Sequence, residues 1–174
     1  LFLAEGFLGF GVGDLAVRLR CSRSSLYLVA GSKQEIVLVT LRAWFRGAAE
    51  RIERRVLAER DPATRLRTYL LAVSDALAPA SPAFYADLVA HPPAGEVYEE
   101  NTRYAARRVR ALVDAGVEAG ALRPVDAVFV GAAVAEVMTG IQAGRVGVAT
   151  GLSDAEAYRS LADVVVGGLV RPPT

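Results

Sequence analysis

Arg23, Ser24, Ser25, Tyr27 and Lys33 are the residues whose types and spacing add up to one chemistry, contact with a polyanion. An arginine can bond a guanine edge or a phosphate, short hydroxyl side chains allow close approach, and a tyrosine carries a donor on a stiff stem. Lys33 follows Ser32 at the start of a long helical pattern, where unpaired amides and an ammonium together form a phosphate site.

These residues need elements to hold them. Val12, Leu15, Ala16 and Leu19 fall at i, i+3, i+4 and i+7, one apolar face of a short helix. Arg20-Cys21 breaks the pattern, and Ser22 is suited to accept a bond from the otherwise unpaired amide of Ser24 or Ser25. The spacing predicts a second helix over about 23–29, with Leu26 and Val29 inward and Arg23, Ser24, Tyr27 and Leu28 facing elsewhere. Two short helices with an inward seam and a polar outward face describe a helix-turn-helix, whose second helix enters a DNA major groove. An ordinary helical hairpin with a polar face fits the same periodicity.

The string Gly6-Phe7, Val12-x-Asp14-Leu15-Ala16, Cys21-Ser22-Arg23-x-Ser25-Leu26-Tyr27 and Gly31-Ser32-Lys33-x-Glu35 resembles the DNA-binding domain of the tetracycline-repressor (TetR) family. The resemblance implies that the helix from Ser22 to Val29 is the recognition helix and that Tyr27 and Lys33 touch the DNA backbone. It implies a helix-turn-helix domain over 1–35 and a helical effector-binding and dimerisation domain over 36–174. Leu1 to Gly6 reads as the last turn of a helix capped by Gly6, so most of the family's first helix is expected to be missing from this sequence. The chain departs from the family pattern at three places. Phe10-Gly11 replaces a capping threonine, Arg20 replaces the turn glycine, and Leu28-Val29-Ala30 replaces a polar aromatic followed by phenylalanine. A non-glycine residue in a left-handed turn costs on the order of 1 kcal/mol.

Other groups could do chemistry and are outweighed. Cys21 is the sole cysteine, which excludes an internal disulfide; a redox sensor and a small apolar turn residue are its two readings, and the second is favoured. Asp87 and His91 lie four apart on a helical stretch, but two ligands without a third favour a surface pair over a metal site. Arg103, Arg107, Arg108 and Arg110 cluster, and some of them lie four residues from Glu99, Glu100 or Asp114, so a salt-bridged face is favoured over an arginine turned inward to fix an anion. One His and one Cys leave no nucleophile–base pair at readable spacing, so catalysis is not expected, nor any cofactor or metal.

The rest of the 174 residues reads as helices. A long helix over 33–60 carries an apolar stripe of Ile36, Val37, Thr40, Leu41, Trp44, Phe45, Ala48 and Ile52, with Glu50 and Glu53 as ion-pair partners within the helix. Asp61-Pro62 and Ser81-Pro82 start two more helices, and the second ends at His91-Pro92-Pro93. Another helix spans about 94–120. A nearly uncharged stretch over 124–148 reads as one helix buried on all sides, with small residues Ala127, Gly131 and Ala135 admitting a neighbour. Ser153 and Glu156 form a capping box for a last helix bearing Ala157, Leu161, Val164, Val165 and Leu169 and stopped by Arg171-Pro172-Pro173.

With 20 basic and 19 acidic residues the net charge is +1, which argues against a non-specific nucleic-acid coat. All basic residues but Lys33 are arginine, a bias suggesting a GC-rich bacterial genome. No stretch reaches 18 uncharged apolar residues, so no membrane span is expected, and the start has no signal-peptide pattern.

The reading is an all-α, cytoplasmic, non-enzymatic TetR-like regulator, a repressor, with double-stranded operator DNA as partner. Two apolar C-terminal helices are expected to pair with their copies as a homodimer. The DNA-contacting set is Ser22, Arg23, Ser24, Ser25, Tyr27, Leu28 and Lys33. A small, largely apolar or aromatic effector would meet some of Trp44, Phe45, Tyr69, Phe84, Tyr85, Tyr98, Tyr104 and Met138, each of which is equally suited to plain core packing. Two other classes stay open: a helical small-molecule-binding dimer whose DNA-binding head has degenerated, and an all-helical enzyme, which an apolar cavity with a strained or strongly shifted polar group would favour.

Overall fold

The computed structural model describes residues 1–170 and is all-α. In order come α1 (Phe2–Glu5), α2 (Val12–Arg18), α3 (Arg23–Tyr27), α4 (Lys33–Ala58), α5 (Pro62–Leu77), α6 (Pro82–Ala90), α7 (Pro92–Glu118), α8 (Ala127–Gln142), α9 (Arg145–Thr150) and α10 (Asp154–Leu169). The helical stop expected at Arg171-Pro172-Pro173 lies outside the described residues.

Helix starts follow side-chain chemistry. Ser22, Asp61, Ser81, Asp126 and Ser153 each accept a bond from an amide of the first turn, at Ser25, Thr64, Phe84, Phe129 and Glu156 respectively. At α10 the Glu156 carboxylate also accepts from the Ser153 amide, completing the box. Bonding to Thr64 holds the Asp61 carboxyl below its ordinary value, and bonding to Ser153 does the same for Glu156.

The chain forms two compact units. One comprises Leu1–Gly47 with Pro79–Glu100, the other Ala48–Ala78 with Asn101 onward. The division at 35/36, drawn by expected function, is a different partition and stays a proposal. In the first unit, Phe7, Val37, Leu41, Phe45, Phe84 and Leu88 form a buried core. A smaller core of Leu15, Ala16, Leu26 and Ile36 lies under α2 and α3. In the second unit α10 packs on α5 and α8. Gly131 is where α8 meets α7: a Cβ there would stand 2.6 Å from the Ala106 carbonyl oxygen.

Several sequence expectations are corrected. The stretch 124–148 is not one helix: Gly144 turns at φ 72 and separates α8 from α9. Val128, Phe129 and Val137 are exposed in the single chain, so the burial expected for them rests on the proposed homodimer. On α10, Val164 is exposed while Tyr158 and Ala162 fill the interior. The helix expected from Ala94 begins at Pro92, because two prolines fit a first turn whose amides need no helical partner. After α7, Gly120 adopts φ 72 and Leu122 is wholly buried. Leu122 forms an antiparallel bridge with Val170, and the Arg123 amide donates to the Leu169 carbonyl at 2.8 Å.

Candidate nucleic-acid interface

The interface candidate is α2, its turn and α3. Gly11 serves as N-cap of α2, and with no side chain of its own it relies on Asp14, whose carboxylate accepts from the Gly11 amide at 2.8 Å. The turn closes with Cys21 N donating to Ala16 O and Arg20 N donating to Val17 O. That paired pattern needs a left-handed residue after the helix, and Arg20 supplies it at φ 52, alone among the described non-glycine residues in having positive φ. Arg20 therefore sits in the strained conformation that its replacement of glycine leads one to expect.

The seam follows the spacing but is only partly closed. Leu15, Ala16 and Leu26 are buried, but Leu19 is exposed and Val29 is 51% exposed. Helix α3 ends at Tyr27, two residues early, but Val29, like Leu19, still lines the cavity beneath α2 and α3 together with Leu15 and Leu26.

The candidate contact residues fall into two groups. Ser22 and Ser25 are engaged with each other: Ser22 Oγ accepts from Ser25 N at 3.0 Å, and the two hydroxyls are 2.9 Å apart. Arg23 opens α3 and folds back over α2, its Nη2 only 2.7 Å from where a Cβ on Gly13 would stand. Ser24, Tyr27 and Leu28 are exposed, Leu28 at 89% the most exposed large apolar side chain but one. Lys33, at the first position of α4, donates from Nζ to the Leu8 carbonyl at 2.9 Å. The Ser32 hydroxyl accepts from Glu35 N and caps that helix. Arg18 pairs with Glu5 and lies 4.7 Å over the Phe10 ring.

Asp87 is a positioning residue that its sequence spacing does not reveal. Its Oδ2 accepts from the amides of Phe7 and Leu8, fixing the loop that leads into α2. Gly6, at φ 76, is required beside it, since a Cβ would stand 2.5 Å from that oxygen. His91 Nδ1 accepts from the Ala94 amide at 3.3 Å, and its ring meets Phe7 edge-on. The pair read as surface residues thus serves the backbone, Asp87 on the Gly6 loop and His91 at the start of α7.

The effector candidates separate between the units. Trp44, Phe45, Tyr98, Tyr85 and Phe84 form a continuous series of ring contacts, with neighbouring centroids 4.8 to 6.1 Å apart. The same unit holds an apolar cavity of about 300 Å³ beneath α2 and α3, lined by Phe2, Leu15, Leu26, Ile36, Leu41 and Trp44 among others. Tyr69, Tyr104 and Met138 lie in the other unit, Tyr69 and Met138 buried and Tyr104 exposed. There Arg108 makes two 2.7 Å bonds to Glu53, one to each carboxylate oxygen. Glu53 thus pairs across to α7 and not within α4, while Arg110 and Asp114 make the expected i, i+4 pair. The bond to Glu53 raises the Arg108 pKa. Burial pushes the Tyr69 phenol up, with Tyr104 and Glu53 adding to the effect and Arg108 opposing it.

Many solved structures share this fold. A proposed transcriptional regulator from Saccharomonospora viridis, solved in complex with choline, matches at TM-score 0.76 and 17% identity over 99% of this chain and 93% of that one. A TetR-family regulator from Agrobacterium tumefaciens matches at 0.75 and 16% over 98% and 92%. The regulator PfmR from Thermus thermophilus, also of the TetR family, matches at 0.64 and 23% over 98% and 94%. No protein-family model matches the sequence, and no curated protein sequence matches it. The chain has the fold of the TetR-family transcriptional regulators, a helix-turn-helix with a helical body, as the sequence resemblance implied. Among the described residues no helix is long and apolar enough to cross a membrane.

Proposed function

We propose that this protein is a dimeric, cytoplasmic, DNA-binding transcriptional regulator of TetR type, a repressor whose operator affinity is set by a small-molecule effector. The observation that carries the reading is the α2–turn–α3 unit. It buries Leu15, Ala16 and Leu26 while leaving Ser24, Tyr27 and Leu28 exposed on a helix opened by Arg23. The shared fold supports the reading, and the choline bound to the Saccharomonospora viridis protein supports a small organic effector.

Dimerisation fits the exposed apolar faces of α8 and α10, where Phe129 is 70% and Val164 73% exposed. A second copy laid on these faces would bury them, and a twofold dimer presents two recognition helices to two half-sites. The effector would act by population shift, fitting one spacing of the two heads better than another and so changing operator affinity.

The reading is tested by enriching random duplexes on the full-length protein. Recovery of a twofold-symmetric sequence with half-sites about 34 Å or a multiple apart is the expected result. A retained dimer that enriches nothing would favour the second reading, a small-molecule-binding dimer with a degenerate head. The strained Arg20 is the observation that favours that alternative.

A further inference from the structure

We infer that Leu28 reads the 5-methyl group of a thymine in the major groove, and so adds an apolar contact to the sequence preference of a recognition helix that has few polar readers. The inference rests on the DNA-binding reading above and names the chemistry of its contact.

The polar side chains of α3 are partly committed. Ser22 and Ser25 bond each other at the helix start, and Arg23 lies back over Gly13 on α2. No Asn or Gln, the side chains that read adenine with two bonds, occurs between Arg20 and Lys33. Besides the exposed Arg23 and Ser25, α3 and its C-cap present Ser24, Tyr27 and Leu28 outward. Leu28 lies one turn beyond Ser24, and its backbone is still helical at φ −71 and ψ −22, so it extends the same face. Nothing in the unit covers it, since it is 89% exposed, whereas the neighbouring Val29 also lines the cavity beneath α2 and α3.

A leucine offers a base edge no hydrogen bond. Of the four bases only thymine carries an apolar group into the major groove, its C5 methyl, and apolar side chains are its usual contact. The surrounding charge suits a duplex as occupant: Arg20 and Arg23 precede the exposed leucine in sequence, and Lys33 follows it. Burying one methyl against Leu28 is worth about a fourfold difference in affinity.

The test uses the full-length protein and the duplex enriched from a random library. Each thymine is replaced in turn by deoxyuridine, which removes the methyl and leaves base pairing intact, and binding is followed by fluorescence anisotropy. The expected result is one position per half-site where deoxyuridine weakens binding by about fourfold. Leu28→Ala should bind the two duplexes equally. An enriched duplex indifferent to every such replacement overturns the thymine contact and leaves the DNA-binding reading standing. So does a Leu28→Ala protein that keeps the full difference. Failure to enrich any sequence overturns both.

Discussion

The Arg23 guanidinium rests on the bare α-carbon of Gly13, and a methyl placed there would meet Nη2 at 2.7 Å. The recognition helix and its supporting helix are thus joined by a cation lying in the gap that one glycine leaves. A flexible side-chain end can move aside, and alanine is a better helix residue than glycine by about 1 kcal/mol. Gly13→Ala is therefore expected to raise unfolding stability by roughly 0.5–1 kcal/mol in urea. It should also lower affinity for the enriched duplex severalfold, because Arg23 loses its seat. A gain in stability with unchanged affinity would show that the seat does not matter to binding.

Arg20 carries the turn between α2 and α3 at φ 52. Glycine adopts that conformation without the steric penalty of a Cβ, so Arg20→Gly should stabilise the fold by about 1 kcal/mol, whereas Arg20→Ala should not. Paired urea unfolding curves decide it. Equal midpoints for the two variants would mean the turn is not strained.

Glu53 and Arg108 are 26% and 25% exposed and joined by two bonds, so neither charge is easily rehydrated if its partner is removed. Arg108→Ala should cost about 1–3 kcal/mol by leaving the Glu53 carboxylate poorly solvated. The double replacement Glu53→Leu with Arg108→Met should recover most of that loss, since apolar substitutes often match a buried pair. A double variant as unstable as the single one would contradict this.

The Asp61 cap gives a pH dependence of known sign. Hydrogen bonds to Thr64 depress the Asp61 pKa below its ordinary 3.8, so the folded state binds its proton less readily than the unfolded chain. The cap's contribution is fully present above pH 3.8 and is lost as pH falls through the depressed value. Asp61→Asn should flatten the acid limb of the stability curve below about pH 4 and leave the neutral region nearly unchanged, because asparagine caps almost as well. A limb of unchanged steepness would remove Asp61 from the account.

How far the sequence could be read depends on how local each feature is. Ser22, Asp61, Ser81 and Ser153 announce their helices because a cap and its amide lie within three residues. The left-handed turn at Arg20 was legible for the same reason. The anchoring of the α2 loop by Asp87 was not: donor and acceptor are 80 residues apart, and an aspartate on a helix face looks like any solvated acid. Glu53 was assigned to neighbours on its own helix, because periodicity cannot show a partner on α7. Leu19 and Val29 lie just past the ends of α2 and α3 and line the cavity there, so the helical period marks their direction but not how much of each stays exposed. The effector candidates were chosen by residue type, and type alone does not tell a ring packed in the core from one facing a ligand.

The most direct measurement is an anisotropy titration of the enriched duplex and a scrambled duplex. It would use the full-length protein and its Arg23→Ala/Tyr27→Ala variant at several salt concentrations. The account predicts saturable binding that beats the scrambled duplex and falls with salt, each lost phosphate contact lowering the log–log slope by about 1. It predicts that the double variant keeps its helical circular dichroism and loses that preference. Equal affinity for the two duplexes, or a double variant that binds as the parent does, would contradict the claim that α3 reads DNA.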